Sequence, residues 1–183
     1  MAVIKIDMDG VVRDIFTPML ELYNKEFGTR LNVHDITSYD VNIVFPKIRK
    51  RFGISAAEWF FDINSKLLFL ESKTYHHVDK VIDDLRNIGH TVVIVTWQPL
   101  LKNKIDTLNF LERNNIHYDD ICFTKDKWMI NGDYLVDDNP EFILDEREKA
   151  NKRIIMDFPY NRYINENEKF IRINDMNQLK HYI

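Results

Sequence analysis

Val3-Ile4-Lys5-Ile6-Asp7-Met8-Asp9-Gly10 is a short, mostly apolar run that stops at two carboxylates one residue apart. A few branched residues ended abruptly by acid read as a strand buried on both faces of a parallel sheet. The same pattern returns at Thr91 to Val95, ending at Thr96, and at Tyr134 to Val136, ending at Asp137. Ile121 to Phe123 and Ile154 to Met156 are further strands of this kind. Helical patterns separate them. Val78, Val81, Ile82 and Leu85 recur at helical spacing before Gly89; Leu101, Ile105, Leu108 and Leu111 follow Pro99; a third helix is expected after Pro140. Strand and helix alternate, which predicts an α/β fold with a parallel sheet wrapped by helices.

Between about Phe16 and Tyr75 the rhythm breaks. Met19, Leu20, Tyr23 and Phe27, then Trp59, Phe60, Ile63 and Leu67, make amphipathic helical patterns, and no buried strand stands out. The economical reading is an insertion after the first strand. Residues 1–15 and 76–183 would then form the α/β core, and residues 16–75 a small helical cap over the strand ends.

The 183 residues are 45% hydrophobic, enough for a packed core in one domain with a modest insertion. The formal net charge of −4 argues against long nucleic acid as a partner, which calls for a basic track. Cys122 is the single cysteine, so an intramolecular disulfide and a cysteine-cluster metal site are both excluded. Acidic residues arrive before any long apolar run. No signal peptide or membrane span is expected, and a cytoplasmic setting follows.

Ligands of open parallel sheets bind outside the carboxyl ends of the strands. Asp7 and Asp9, Thr96, Lys125 and Lys127, and Asp137-Asp138 should meet there. Carboxylates packed together repel, so a cation is expected among them, and hard oxygen donors favour magnesium (Mg2+) over zinc. That set suits phosphoryl transfer. Asp7 can attack phosphorus, and Asp9, two residues on, can serve the leaving oxygen as general acid and later water as base. Thr96 can donate to the phosphoryl group and Lys127 can neutralise its charge, while Asp138 and Asp137 anchor the metal, one directly and the other through water. Gly10 lets the chain turn behind the pair. Taken singly, Asp-x-Asp is commonly a turn, and Asp137-Asp138-Asn139-Pro140 would serve as a helix cap.

Those residues resemble the signatures of the haloacid dehalogenase-like superfamily: Ile6-Asp7-Met8-Asp9-Gly10-Val11-Val12, the apolar strand ending in Thr96, Lys127, and Leu135-Val136-Asp137-Asp138-Asn139-Pro140. Within it, the chain is similar to the 5′(3′)-deoxyribonucleotidase family. Gly132-Asp133-Tyr134-Leu135-Val136-Asp137-Asp138 after Lys127 and Asp157-Phe158-Pro159-Tyr160-Asn161-Arg162 share in that likeness. The resemblance implies a Rossmann-like parallel sheet flanked by helices, a magnesium ion held by Asp7, Asp138 and the backbone carbonyl of Asp9, and an aspartyl-phosphate on Asp7. Its substrate would be a small phosphate monoester, a nucleoside monophosphate. Arg13 stands where that family usually has a small residue, and Trp97 where it often has a small hydroxyl residue.

Several candidates carry two readings. Arg13 either contacts substrate phosphate or pairs with a neighbouring acid. Of the cap aromatics Phe16, Tyr39, Phe45, Trp59, Phe60 and Phe61, most suit the core, and Phe16, just past the catalytic loop, is the best wall for a base. His76-His77 reads as a helix start, and Tyr160-Asn161-Arg162 as a support for the catalytic loop. A sugar phosphatase, a polynucleotide 3′-phosphatase and a non-catalytic binding module are the competing functions. A homodimer is allowed.

Overall fold

The structure is a computed structural model that describes residues 1–183. Its strands are β1 (Val3–Ile6), β2 (Arg13–Asp14), β3 (Lys73–Thr74), β4 (Thr91–Thr96), β5 (Asp120–Phe123), β6 (Tyr134–Asp137), β7 (Lys152–Met156) and β8 (Phe170–Ile173). Six of them form one parallel sheet in the order β5-β4-β1-β6-β7-β8. The register sets the site. Ile6 lies beside Ile94 on one side and Val136 on the other, so Asp7, Thr96 and Asp137 reach the same edge of the sheet.

The helices are α1 (Phe16–Phe27), α2 (Val41–Val44), α3 (Pro46–Phe52), α4 (Ala56–Glu58), α5 (Ser65–Phe69), α6 (Val78–Asn87), α7 (Leu101–Arg113) and α8 (Pro140–Ile143). The first five lie between β1 and β4 as a helical cap. The strands β2 and β3 pair antiparallel, Arg13 with Thr74 and Asp14 with Lys73, where the chain leaves the core and returns. His77, at φ 63°, turns the chain into α6. No helix is long and apolar enough to cross a membrane.

Neighbouring residues of a strand serve opposite faces. Val136 and Ile154 join a large apolar core that continues into the cap through Phe45, Phe60 and Phe69, whereas Leu135 and Ile155 pack with Ile143, Ala150 and Ile164 in a smaller one. Lys5 is the exception to an apolar β1. Its side chain is fully buried, and its ammonium meets Glu148 at 2.6 Å and donates to the carbonyls of Lys127 and Ile130 at 3.2 and 2.9 Å.

Three local expectations change, and one strand of the sheet is additional. The face of α7 that is buried carries Asn103, Thr107, Phe110 and Leu111, while Leu101, Ile105 and Leu108 are exposed. Buried polar groups decide this rotation: Asn103 donates to the Phe61 carbonyl at 2.8 Å, and Thr107 accepts from Arg13 at 3.2 Å. A π-helical stretch over Trp59–Ile63 adds a residue to the turn, which leaves Ile63 exposed and brings Leu68 and Phe69 inward. The helix after Pro140 lasts one turn, because the buried Arg153 guanidinium takes the carbonyls of Asp145 and Glu148 just beyond it. The edge strand β8, half-buried and interrupted by Arg172, has too little apolar patterning to stand out in sequence.

Candidate active site

At the strand edge, Asp7, Asp137 and Asp138 each offer a carboxylate oxygen within 4.8 Å of the others. All three are buried, and so is Lys127, whose ammonium lies 2.7 Å from Asp7 Oδ1 and 2.6 Å from Asp137 Oδ2. The other Asp137 oxygen accepts the Asn139 backbone N–H at 2.9 Å, so both of its oxygens have protein partners. Asn139, not either aspartate, caps α8 by accepting from the Glu141 N–H at 2.9 Å. That leaves Asp138 to face the cavity. Gly10, at φ +82°, lets the loop after β1 close on it; a Cβ there would stand 2.7 Å from Asp138 Cγ.

Burial dominates the electrostatics. It pushes the Asp7 carboxyl up to about 7, against the pull of Lys127 and with the help of Asp137 and Asp9. Asp138 is raised for the same reason, then by Asp137 and Asp7. Burial works against the Lys127 charge too, but Asp137 and Asp7 more than offset it and raise its pKa. One ammonium, in contact with Asp7 and Asp137, therefore stands against three buried acids. An all-oxygen donor set left short of positive charge fits a hard divalent cation.

The Asp138 carboxylate also accepts from the Tyr160 hydroxyl, and Asn161 Nδ2 donates to the Asp138 carbonyl at 2.9 Å and to the Met156 carbonyl at 2.8 Å. Tyr160 and Asn161 thus brace the loop after β6, and Arg162 points away to pair with Asp157 at 2.8 Å.

Asp9 stands outside the carboxylate triad. Arg13 Nε donates to its Oδ1 at 2.7 Å and Gln98 Nε2 to its Oδ2 at 2.8 Å. Arg13 is fully buried, donates to the Phe69 carbonyl at 2.7 Å, and lies against the rings of Phe69 and Phe110. It does not line the cavity, and of its two readings the pairing with a neighbouring acid is the one present. Its Nε and Nη1 are spent on Asp9, a carbonyl and a threonine, and its Nη2 is buried without a partner. Thr96 ends β4 at the same edge and is buried.

A cavity of about 530 Å³ opens between cap and strand edge. Asp9 and Asp138 lie on its floor side; Phe16, Tyr39, Phe61, Trp97 and Tyr160 supply aromatic walls. Phe16 packs on Phe158 and Tyr160, with ring centroids 4.8 and 6.0 Å apart. Trp59 and Phe60 are core residues instead, and Phe45, packed in the core, also borders the cavity. Gln98 was invisible in sequence: a lone amide two residues past a strand carries no signal until the fold brings Asp9 to it.

Comparison with known proteins gives a family model that matches residues 1–182, described as 5′ nucleotidase, deoxy (pyrimidine), cytosolic type C protein. A Chlorobaculum tepidum protein assigned as a 5′(3′)-deoxyribonucleotidase is 23% identical over 175 residues, which cover 90% of this chain and 83% of that one. Among solved structures, the Bacillus subtilis protein YfnB, assigned as a HAD-hydrolase and bound to magnesium, aligns with a TM-score of 0.60 at 13% identity, covering 98% of this chain and 97% of its own. A Thermotoga maritima protein assigned as a β-phosphoglucomutase aligns over the whole of both chains with a TM-score of 0.64 at 14% identity. At those identities the two structures speak for the fold.

Proposed function

Because this chain belongs to the cytosolic type C 5′-nucleotidase family, within the haloacid dehalogenase-like superfamily, and is a phosphoric monoester hydrolase, we propose that it releases phosphate from (deoxy)ribonucleoside monophosphates through a phosphorylated Asp7. The observation that carries this reading is the buried triad of Asp7, Asp137 and Asp138 with Lys127 2.7 Å from Asp7.

In the first step an Asp7 oxygen attacks phosphorus as the bond to the nucleoside oxygen breaks, and Asp9 gives its proton to that oxygen. In the second, water attacks the same phosphorus, Asp9 takes the proton, and the bond to Asp7 breaks, freeing inorganic phosphate. Lys127 and Thr96 hold the phosphoryl oxygens. Asp7, Asp138 and the Asp9 carbonyl would hold a magnesium ion, with Asp137 behind them; when bound, it offsets the repulsion between carboxylate and phosphate dianion. Residues 16–75 act as the cap, whose aromatic wall, Phe16 foremost, takes the base. A cytoplasmic setting and a small nucleotide, not long nucleic acid, complete the proposal.

A phosphate-release panel of 5′ and 3′ monophosphates, deoxy and ribo, tests it, with sugar phosphates alongside. Turnover should be highest on nucleotides, vanish on chelation of divalent ions, and be lost in Asp7→Asn while the fold persists. Turnover by Asp7→Asn at the wild-type rate would overturn the covalent route. Preference for sugar phosphates would overturn the substrate.

A further inference from the structure

We propose that Arg13 and Gln98 are positioning residues that clamp the Asp9 carboxylate from both sides and aim it at the leaving oxygen, with Arg13 tying that aim to the seat of the cap. This inference rests on the phosphatase reading above. A carboxylate on a free loop rotates about two bonds, and a general acid works only when its proton lies within hydrogen-bond reach of the departing atom. Here Arg13 Nε takes Oδ1 at 2.7 Å and Gln98 Nε2 takes Oδ2 at 2.8 Å, which fixes both torsions. Each carboxylate oxygen accepts more than one bond, so a direction remains open for the proton. The Asp9 side chain is one-quarter exposed, toward the cavity it lines.

The two clamp arms come from different places. Gln98 is buried on the segment between β4 and α7, beside the strand end that carries Thr96. Arg13 sits on β2, at the point where the cap joins the core. Its Nη1 donates to the carbonyl of Phe69, the last residue of α5 in the cap, and to Thr107 of α7. The guanidinium lies between the Phe69 and Phe110 rings, 4.8 and 5.1 Å from their centroids. Displacing α5 would therefore pull on the arginine that holds Asp9. The acid would be aimed when the cap is seated and loosened when it is not.

The test separates proton donation from everything else by choice of leaving group. A nucleoside oxygen departs poorly without a proton; p-nitrophenolate departs readily without one. For kcat/KM, which covers events up to cleavage of the ester bond, Gln98→Met should lower the ratio of nucleoside monophosphate to p-nitrophenyl phosphate by about tenfold or more, part of the factor that general acid catalysis supplies. Gln98→Ala should do the same, and Arg13→Met should do so with a lowered melting temperature. In the double variant Asp9→Asn/Gln98→Met the ratio should match that of Asp9→Asn alone, because an absent acid cannot be misaimed. Equal losses on both esters, or additive losses in the double variant, would overturn the clamp. A wild-type protein that cleaves neither ester would overturn the phosphatase reading itself, and this inference with it.

Discussion

Replacing Lys5 by methionine removes an ammonium from the centre of the sheet while keeping most of its stem. In the native protein that ammonium lies 2.7 and 2.6 Å from the two Glu148 oxygens, and the side chains are 0% and 2% exposed. Without it, Glu148 keeps only the Ala150 N–H at 2.9 Å, and the carbonyls of Lys127 and Ile130 lose their donor. Breaking one side of a buried ion pair costs about 3–5 kcal/mol, because the surviving charge is left in a dry site. At roughly 2–4 °C per kcal/mol for a chain of this size, the melting temperature should fall by about 6–20 °C. Urea unfolding followed by tryptophan fluorescence measures the free energy directly. Lys5→Met/Glu148→Leu should recover most of the stability, since an apolar pair of similar volume is about as good. Phosphatase activity should not recover with it, because the loop that carries Lys127 still lacks its anchor. A loss below about 1 kcal/mol for Lys5→Met would refute the ion-pair argument. Full activity in the double variant would refute the loop argument.

Two further outcomes are expected. The folded state holds the Asp7 carboxyl up at about 7, so between the ordinary carboxylate range and pH 7 it keeps a proton that the unfolded chain has lost. In chelator, this group should make wild-type stability fall as pH rises from about 4 to 7, and Asp7→Asn should remove that part of the slope. Melting curves of both proteins across that range check it, and identical slopes would contradict it. Tyr160→Phe removes the hydroxyl that Asp138 accepts from, and should raise the magnesium concentration needed for half-maximal thermal stabilisation by about 10–100-fold, as loss of a ligand's supporting hydrogen bond does elsewhere. An unchanged magnesium titration would mean that Tyr160 does not orient Asp138.

The alternation of apolar runs with helical patterns was enough to predict the parallel sheet, its helices and the inserted cap, because burial on both faces of a strand leaves a signal that needs no partner to be read. Asp7, Thr96 and Asp137 were legible for a related reason. Each ends a strand, and parallel strands deliver their ends to one edge. What the tertiary structure alone decided is where polar side chains spend their bonds. Arg13 is open to two readings in sequence and is committed to Asp9 only once α5 and α7 close on it. Lys5 looks like a flaw in an apolar strand until Glu148, distant in sequence, arrives to pair with it. Gln98 has no role before the fold sets Asp9 beside it. A hydrophobic pattern repeats along the chain and can be read locally, whereas a hydrogen bond joins two residues whose spacing along the chain says nothing about their distance in space.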